Sequence, residues 1–331
     1  MSAGVRTGLV LGAGGVLGSA WMVGALAALT VRLDRPLGDL DLVLGTSAGS
    51  VLGAALRCGV DVCELIRHQR GNQADDRLPG IRTLDRETGD GLPPVPLPWI
   101  GSPRLLAAAA RAPWSMNPVI AAAGLLPVGR ARMGSLVPLV DALQARIGVT
   151  QDRWVPGRPL WVVAVDYDTG RRVVFGREGA PPSSVADAVL ASCSIPGWFH
   201  PKVIDGHRYI DGGVASSTSL GLLARPGAPE LDEVYVLAPM ASHDHDQPRD
   251  AIAILERGVR RLLTRWLDQE VRAVRAAGVR VTVLTPGPAD LVAMGGNLMN
   301  THRRVQVLET SLDTSAVALA RALTGQGQAA A

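Results

Sequence analysis

Short, uninterrupted apolar runs alternate along the chain with stretches whose apolar residues recur every three or four positions. Residues 8–11 and 41–45 are runs of the first kind. Residues 19–33 and 50–58 are of the second, the latter closed near Gly59, a residue suited to a helix C-terminus. A run too short for a helix predicts a strand buried on both faces. Strand alternating with helix predicts a mainly parallel sheet covered on each side, a three-layer α/β/α architecture. Further along, residues 160–166 and 172–175 form a hairpin through Thr169-Gly170. Residues 203–210 hold a second turn at Asp205-Gly206, and residues 233–238 and 279–284 are further strands. Helices are predicted over 183–192, with Ser183 or Ser184 as N-cap, and over 249–277 and 301–323. Within 249–277, Ile252, Leu255, Val259, Leu262, Leu263 and Trp266 share helical spacing and predict the core-facing side of one long amphipathic helix, or of two.

The periodicity breaks down between residues 71 and 138. Ten prolines fall there, with the run Leu92-Pro-Pro-Val-Pro-Leu-Pro-Trp99 at the centre. Short apolar helices such as 105–112 and 119–126 fit inside it, and residues 71–138 read as an inserted cap or lid within one domain spanning 1–331. Trp99, Ile100, Trp114, Met116, Ile120, Leu125 and Leu126 in this insertion either pack on the body or stand exposed near a cleft, where segment 92–126 would meet a membrane surface.

Composition narrows the function classes. The chain has 331 residues, 47% of them hydrophobic and 19% charged, enough apolar material for a large core and too much for a disordered chain. A net charge of +3 without any dense basic run argues against nucleic acid as a partner. Lys202 is the only lysine, so the other 32 of the 33 basic residues are arginines. Cys58, Cys63 and Cys193 form no CxxC pair and no zinc spacing, which predicts inert thiols and no metal. Residues 8–31 carry no charge, as a membrane span or signal peptide would, but their six glycines divide them into strand, loop and helix. A soluble, cytoplasmic protein, with peripheral membrane contact at most, is the resulting expectation.

Chemistry concentrates in three places. Gly45-Thr46-Ser47-Ala48-Gly49 matches G-x-S-x-G and falls between a predicted strand and a predicted helix, the context that lifts a nucleophilic serine above a sheet edge. Gly12-Ala13-Gly14-Gly15-Val16-Leu17-Gly18 ends the first strand. A dinucleotide fingerprint there would need glycine at Leu17, so the spacing is off by one. A loop of bare backbone amides also suits an oxyanion. Asp211, followed by Gly212 and Gly213, is a carboxylate on a chain free to bend sharply. None of the six histidines sits in a catalytic context, although His243 and His245 flank Asp244 like a metal pair. Arg257, Arg260, Arg261 and Arg265 either line a solvated helix face or meet anionic headgroups.

In that order the glycine loop, Gly-Thr-Ser-Ala-Gly and Asp-Gly-Gly resemble the patatin-like phospholipase family. So does Ala191-Ser192-Cys193-Ser194-Ile195-Pro196-Gly197-Trp198-Phe199-His200-Pro201, similar to the family's segment leading into its aspartate strand. The likeness runs from about residue 7 to 219 and skips the proline-rich insertion. It implies a patatin-like fold and a Ser–Asp dyad without histidine, with Ser47 as nucleophile and Asp211 as base. Backbone amides of Gly14, Gly15 and Val16 would form the oxyanion hole, and Gly12, Gly18, Gly45, Gly49, Gly212 and Gly213 would be motif glycines. It further implies a lipid or acyl-ester substrate, no cofactor and no metal. Two departures bear on the substrate: Leu17 stands where the family carries Arg or Lys, and Ala215-Ser216-Ser217-Thr218-Ser219 replaces its Asn-x-Pro. Two other readings compete: a nucleotide-binding oxidoreductase using the first glycine loop, and a non-catalytic lipid-binding or regulatory relative.

Overall fold

The computed structural model describes residues 4–71, 99–112, 114, 116–244, 246–248 and 251–329. The proline run over 92–98, His245 and the start of the helix predicted from 249 lie outside them.

β1 (Thr7–Leu11) and β2 (Leu42–Thr46) are the two apolar runs near the N-terminus, every residue buried. They are joined by α1 (Gly15–Leu33), and α2 (Ala48–Arg57) and α3 (Val62–Arg70) follow. α4 (Pro103–Arg111), α5 (Pro118–Ala123) and α6 (Leu136–Arg146) come next. Then come β3 (Leu160–Asp166), β4 (Arg172–Phe175), α7 (Val185–Cys193), β5 (Lys202–Ile204) and β6 (His207–Asp211). The chain continues with β7 (Glu233–Leu237), α8 (Ala251–Ala276), β8 (Arg280–Leu284), α9 (Pro288–Met294) and α10 (Arg304–Ala329).

The strands form one sheet in the order β5-β6-β3-β2-β1-β7-β8, with β4 also on β3. The β1, β2, β3, β7 and β8 neighbours pair in parallel, while β4, β5 and β6 are antiparallel additions. Period-two alternation sends Leu9, Leu11, Val43, Val162 and Leu237 into one core and Val10, Leu44, Val163 and Val236 into another. The first core also holds apolar side chains of α1, α2, α3, α6, α7 and α10, and the second those of α8. The sheet is covered on both sides, as the unbroken apolar strands require. Among the described residues α1 is the helix long and apolar enough to cross a membrane, yet Leu17, Trp21, Met22, Leu26 and Leu29 bury it in the first core.

The register brings two strand ends together. Val162 and Val163 pair with β2 and β4 at once, and Ala164 and Val165 with β4 and β6. A strand has two edges, so β4 occupies one and β2 and β6 share the other. β2 stops at Thr46, opposite Val163, and β6 runs the other way to stop at Asp211, opposite Ala164. The two ends meet head to head. Gly212 sits in the gap: a Cβ there would lie 2.3 Å from the Val163 carbonyl oxygen and 3.1 Å from Thr46 Cγ2.

The described residues between 99 and 126 divide. Leu105, Ile120 and Ala123, with Met116 against them, pack on Val165, Tyr167 and Ile210, and the Tyr167 hydroxyl donates to the Ala123 carbonyl. Trp99, Ile100, Leu125 and Leu126 are exposed, and Trp114 is 98% exposed.

α8 corrects the sequence reading. Ile252, Leu255, Val259 and Leu262 face outward, Leu255 at 71% exposure, while Leu263, Leu267, Val271 and Val274 face the sheet. Two buried arginines set this orientation. Arg257 donates to Asp246 and the carbonyls of Leu291 and Gly295, and Arg260 to Glu256 and the carbonyls of Pro239 and Ala241. Two buried guanidinium groups that must keep their hydrogen-bond partners outrank the helix's apolar stripe. Of the four arginines considered for headgroups, Arg257 and Arg260 are committed inward, while Arg261 and Arg265 point outward.

In equilibrium urea unfolding, Leu267→Ala should therefore destabilise by about 2–5 kcal/mol and Leu255→Ala by less than about 0.5 kcal/mol. Similar losses in both variants would mean that α8 is rotated from the orientation described.

Candidate active site

Ser47 is the single residue between β2 and α2. Its φ of 53° and ψ of −124° hold a non-glycine residue in strained backbone, a conformation costing on the order of 1–3 kcal/mol. The surroundings over-determine it. The Ser47 N–H donates to Ser192 Oγ at 2.8 Å, and that hydroxyl donates to the Val163 carbonyl at 2.6 Å. The Ser47 carbonyl accepts from Ser50 Oγ at 2.7 Å and from the Ser50 N–H at 2.8 Å. The flanking glycines allow close packing: a Cβ on Gly49 would sit 2.1 Å from the Leu11 carbonyl oxygen, and one on Gly45 2.5 Å from that of Gly49.

From this elbow Ser47 Oγ donates to Asp211 Oδ2 at 2.6 Å. The other carboxylate oxygen accepts the Gly213 N–H at 2.7 Å, and the Asp211 N–H donates to the Ser194 carbonyl at 2.9 Å. Both side chains are buried, each residue 5% exposed. Burial pushes the Asp211 carboxyl up to about 6, against the opposing pull of the hydrogen bonds from Ser47 and Gly213. No described histidine lines either cavity that contains Ser47. His243 pairs with Asp268 at 2.9 Å instead, so the metal-like reading of His243 has no support among the described residues.

The first glycine loop lies beside this pair. Gly14 and Gly15 share a cavity of about 260 Å³ with Ser47 and Asp211, and Gly15 and Val16 share one of about 80 Å³ with Ser47. The loop is anchored by its neighbours: the Gly12 N–H donates to the Leu237 carbonyl, that of Ala13 to Ser217, that of Leu17 to Leu298 and that of Gly18 to Gly14. The N–H groups of Gly14, Gly15 and Val16 have no such acceptor among the described residues, and they stand in the first turn of α1, the positive end of its dipole. Leu17, at the position where a dinucleotide fingerprint has glycine, is fully buried in the core.

The structure thus brings Ser47, Asp211, Gly14, Gly15 and Val16 to one place, with Gly45, Gly49, Gly212 and Gly213 at its tight turns. Gly12 and Gly18 are set back, where Pro239 packs against the loop. Ser192 has no role in the motif reading, although it sits within Ala191-Ser192-Cys193-Ser194. A serine at the end of a helix, in the segment that leads through β5 into the aspartate strand, is the available signal.

A sheet covered by helices on both sides, with a serine on a strand–helix elbow against a buried carboxylate, defines an α/β protein with nucleophile-elbow geometry. The patatin-like phospholipase model matches residues 9–224, and the chain belongs to that family, a family of lipid acyl hydrolases. Among solved structures it is similar to VipD from Legionella pneumophila, at 14% identity over 97% of this chain and 68% of that one, with a TM-score of 0.47. The type III effector protein ExoU is similar at 16% identity over 95% of this chain and 53% of that one, with a TM-score of 0.36.

The raised carboxyl has a consequence for stability. The folded protein holds the Asp211 proton more tightly than the unfolded chain, whose carboxyl sits near 3.8. Ionising it therefore costs the folded state stability as pH rises from 4 through 6, leaving a penalty on the order of 3 kcal/mol at pH 8. Asp211→Asn removes the ionisation and keeps an oxygen for the Gly213 N–H. Thermal unfolding should find this variant more stable than wild type at pH 8, with the gap closing towards pH 4. A gap that does not change with pH would contradict the burial assigned to this carboxylate.

Proposed function

We propose that this chain hydrolyses lipid acyl esters through a covalent acyl-enzyme, with Ser47 as nucleophile and Asp211 as the general base. The 2.6 Å hydrogen bond from Ser47 Oγ to Asp211 Oδ2 carries the reading. Ser47 Oγ attacks the ester carbonyl while its proton passes to Asp211. The negative charge gathering on the carbonyl oxygen is met by the amides of Gly14, Gly15 and Val16, each such donor typically contributing ~3 kcal/mol to the transition state. Collapse expels the alcohol, which takes the proton from Asp211. Water then attacks the acyl-serine, gives its proton to the same carboxylate and releases the fatty acid, and the proton returns to Ser47 Oγ.

An isolated aspartate is a weak base. Burial that raises its carboxyl to about 6 makes it stronger while leaving it ionised at pH 7. The hydrogen bond to Gly213 fixes the carboxylate plane, so one oxygen stays aimed at Ser47.

With p-nitrophenyl butyrate as substrate, Ser47→Ala should lower kcat by at least ~10³-fold and leave far-ultraviolet circular dichroism unchanged. Wild-type kcat/KM should rise with pH through about 6 and level off above 7, because only ionised Asp211 accepts the proton. Normal turnover by Ser47→Ala would overturn the proposal.

A further inference from the structure

On α8 the side chains of Ile252, Leu255, Val259 and Leu262 recur at helical spacing and all face solvent, over ~15 Å of helix. An unbroken row of large aliphatic side chains turned to water marks a surface that meets a partner. The inward hydrogen bonds of Arg257 and Arg260 fix the row where it is, so no rotation of the helix hides it. α8 also lies beyond residues 9–224, the part of the chain that the family model matches. The charges beside the row are of one sign. Of the three acids on α8, Glu256 is held by Arg257 and Arg260, Asp268 pairs with His243, and Glu270 accepts from Thr218. Arg261 and Arg265 are exposed and make no ion pair among the described residues. They stand roughly a quarter to a third of a turn round the helix from Leu255.

Topology sets this row beside the cavity that holds Ser47 and Asp211. β7 and β8 run parallel to β1 and β2, so α8 begins at the end of the sheet where β2 delivers Ser47. Gly296 packs on the first turn of α8, where a Cβ would come 2.7 Å from the Ala253 nitrogen and 3.0 Å from the Ile252 carbonyl carbon. Leu298 and Met299, just beyond, line the cavity. Pro196 lines it too, and a Cβ on the adjoining Gly197 would touch Leu126, which is exposed together with Leu125. Two exposed aliphatic patches therefore adjoin the walls of one cavity.

We infer that the outward face of α8 docks on a bilayer surface carrying anionic phospholipid. Ile252, Leu255, Val259 and Leu262 enter the boundary of the acyl region, and Arg261 and Arg265 reach the headgroups. A protein laid across both patches would cover the Ser47 cavity, whereas a lipid surface laid there brings the ester to it. In this the inference rests on the acyl-hydrolase reading, to which it adds the partner.

The experiment is co-sedimentation of Ser47→Ala, used so that no ester is consumed, with vesicles of phosphatidylcholine alone or mixed with phosphatidylglycerol. Binding should favour the mixed vesicles. Adding Ile252→Ser and Leu255→Ser should weaken it at least ~10-fold. Adding Arg261→Gln and Arg265→Gln should weaken it at least ~10-fold on the mixed vesicles and leave phosphatidylcholine vesicles unaffected. Val31→Ser removes an exposed aliphatic side chain at the far end of α1 and should change nothing. With Ser47 intact, the Ile252→Ser/Leu255→Ser protein should turn over p-nitrophenyl butyrate like wild type, because a dissolved ester needs no surface. Absence of vesicle binding, binding that neither double variant weakens, or equal binding to both vesicle types overturns the proposal. So does light scattering that finds a dimer split by Ile252→Ser/Leu255→Ser, since a second copy then covers the row. Vesicle binding is read without turnover, so it stands even if Ser47 proves not to be the nucleophile, and its failure leaves the esterase assay untouched.

Discussion

Everything at the site depends on one hydroxyl being held against one buried carboxylate, and the sheet makes that contact unavoidable. β2 and β6 share an edge of β3 and approach each other from opposite directions, so the residues just past their ends, Ser47, and at their ends, Asp211, are neighbours by register. The contact is then locked from beneath. Ser192 Oγ accepts the Ser47 N–H and donates to the Val163 carbonyl, the strand residue opposite Thr46. One hydroxyl ties the strained elbow to the strand that fixes its height. The same α7 helix leads into the Ser194 carbonyl, which accepts the Asp211 N–H, so both partners of the pair are anchored by residues two apart in one segment.

The arrangement costs stability. A backbone turn that serine tolerates poorly and a carboxylate buried beside it are both unfavourable in isolation. They persist because the two cores on either side of the sheet hold the strands that carry them, with Leu9, Leu11 and Val43 on one side and Val10, Leu44 and Val163 on the other. The antiparallel additions β4, β5 and β6 complete the site. Without β6 turning back along β3, a parallel sheet would present Ser47 with no carboxylate at hand.

Much of this was legible in the sequence, because local chemistry carries it. The strands at 8–11, 41–45, 160–166 and 233–238 are apolar runs with a charge at most at one end, and the turn glycines around Ser47 and Asp211 mark close approach. What escaped is decided by tertiary partners. α6 was hidden because Pro138 looked like the end of the proline-rich insertion, whereas proline is tolerated in a first helical turn. α3 is short and charged, although Asp61 and Glu64 form the capping box that announces it. α1 begins at Gly15 instead of residue 19, since the glycine loop itself winds into the helix. On α8 the periodicity gave the right helix and the buried Leu263, but Ile252, Leu255, Val259 and Leu262 face outward, because Arg257 and Arg260 answer carbonyls that no sequence window contains. Ser192 shows the same limit at the site: its two partners lie 145 and 29 residues away in sequence.

Activation of Ser47 by Asp211 is the central claim, and a fluorophosphonate probe reports it directly, since the reagent labels serines whose hydroxyls are made nucleophilic. Peptide mapping after labelling should recover the probe on the peptide containing Ser47 in the wild-type protein at pH 8, with labelling slowed at least ~10²-fold in Asp211→Asn. Label found on another residue, or on Ser47 at an undiminished rate in Asp211→Asn, would contradict the account.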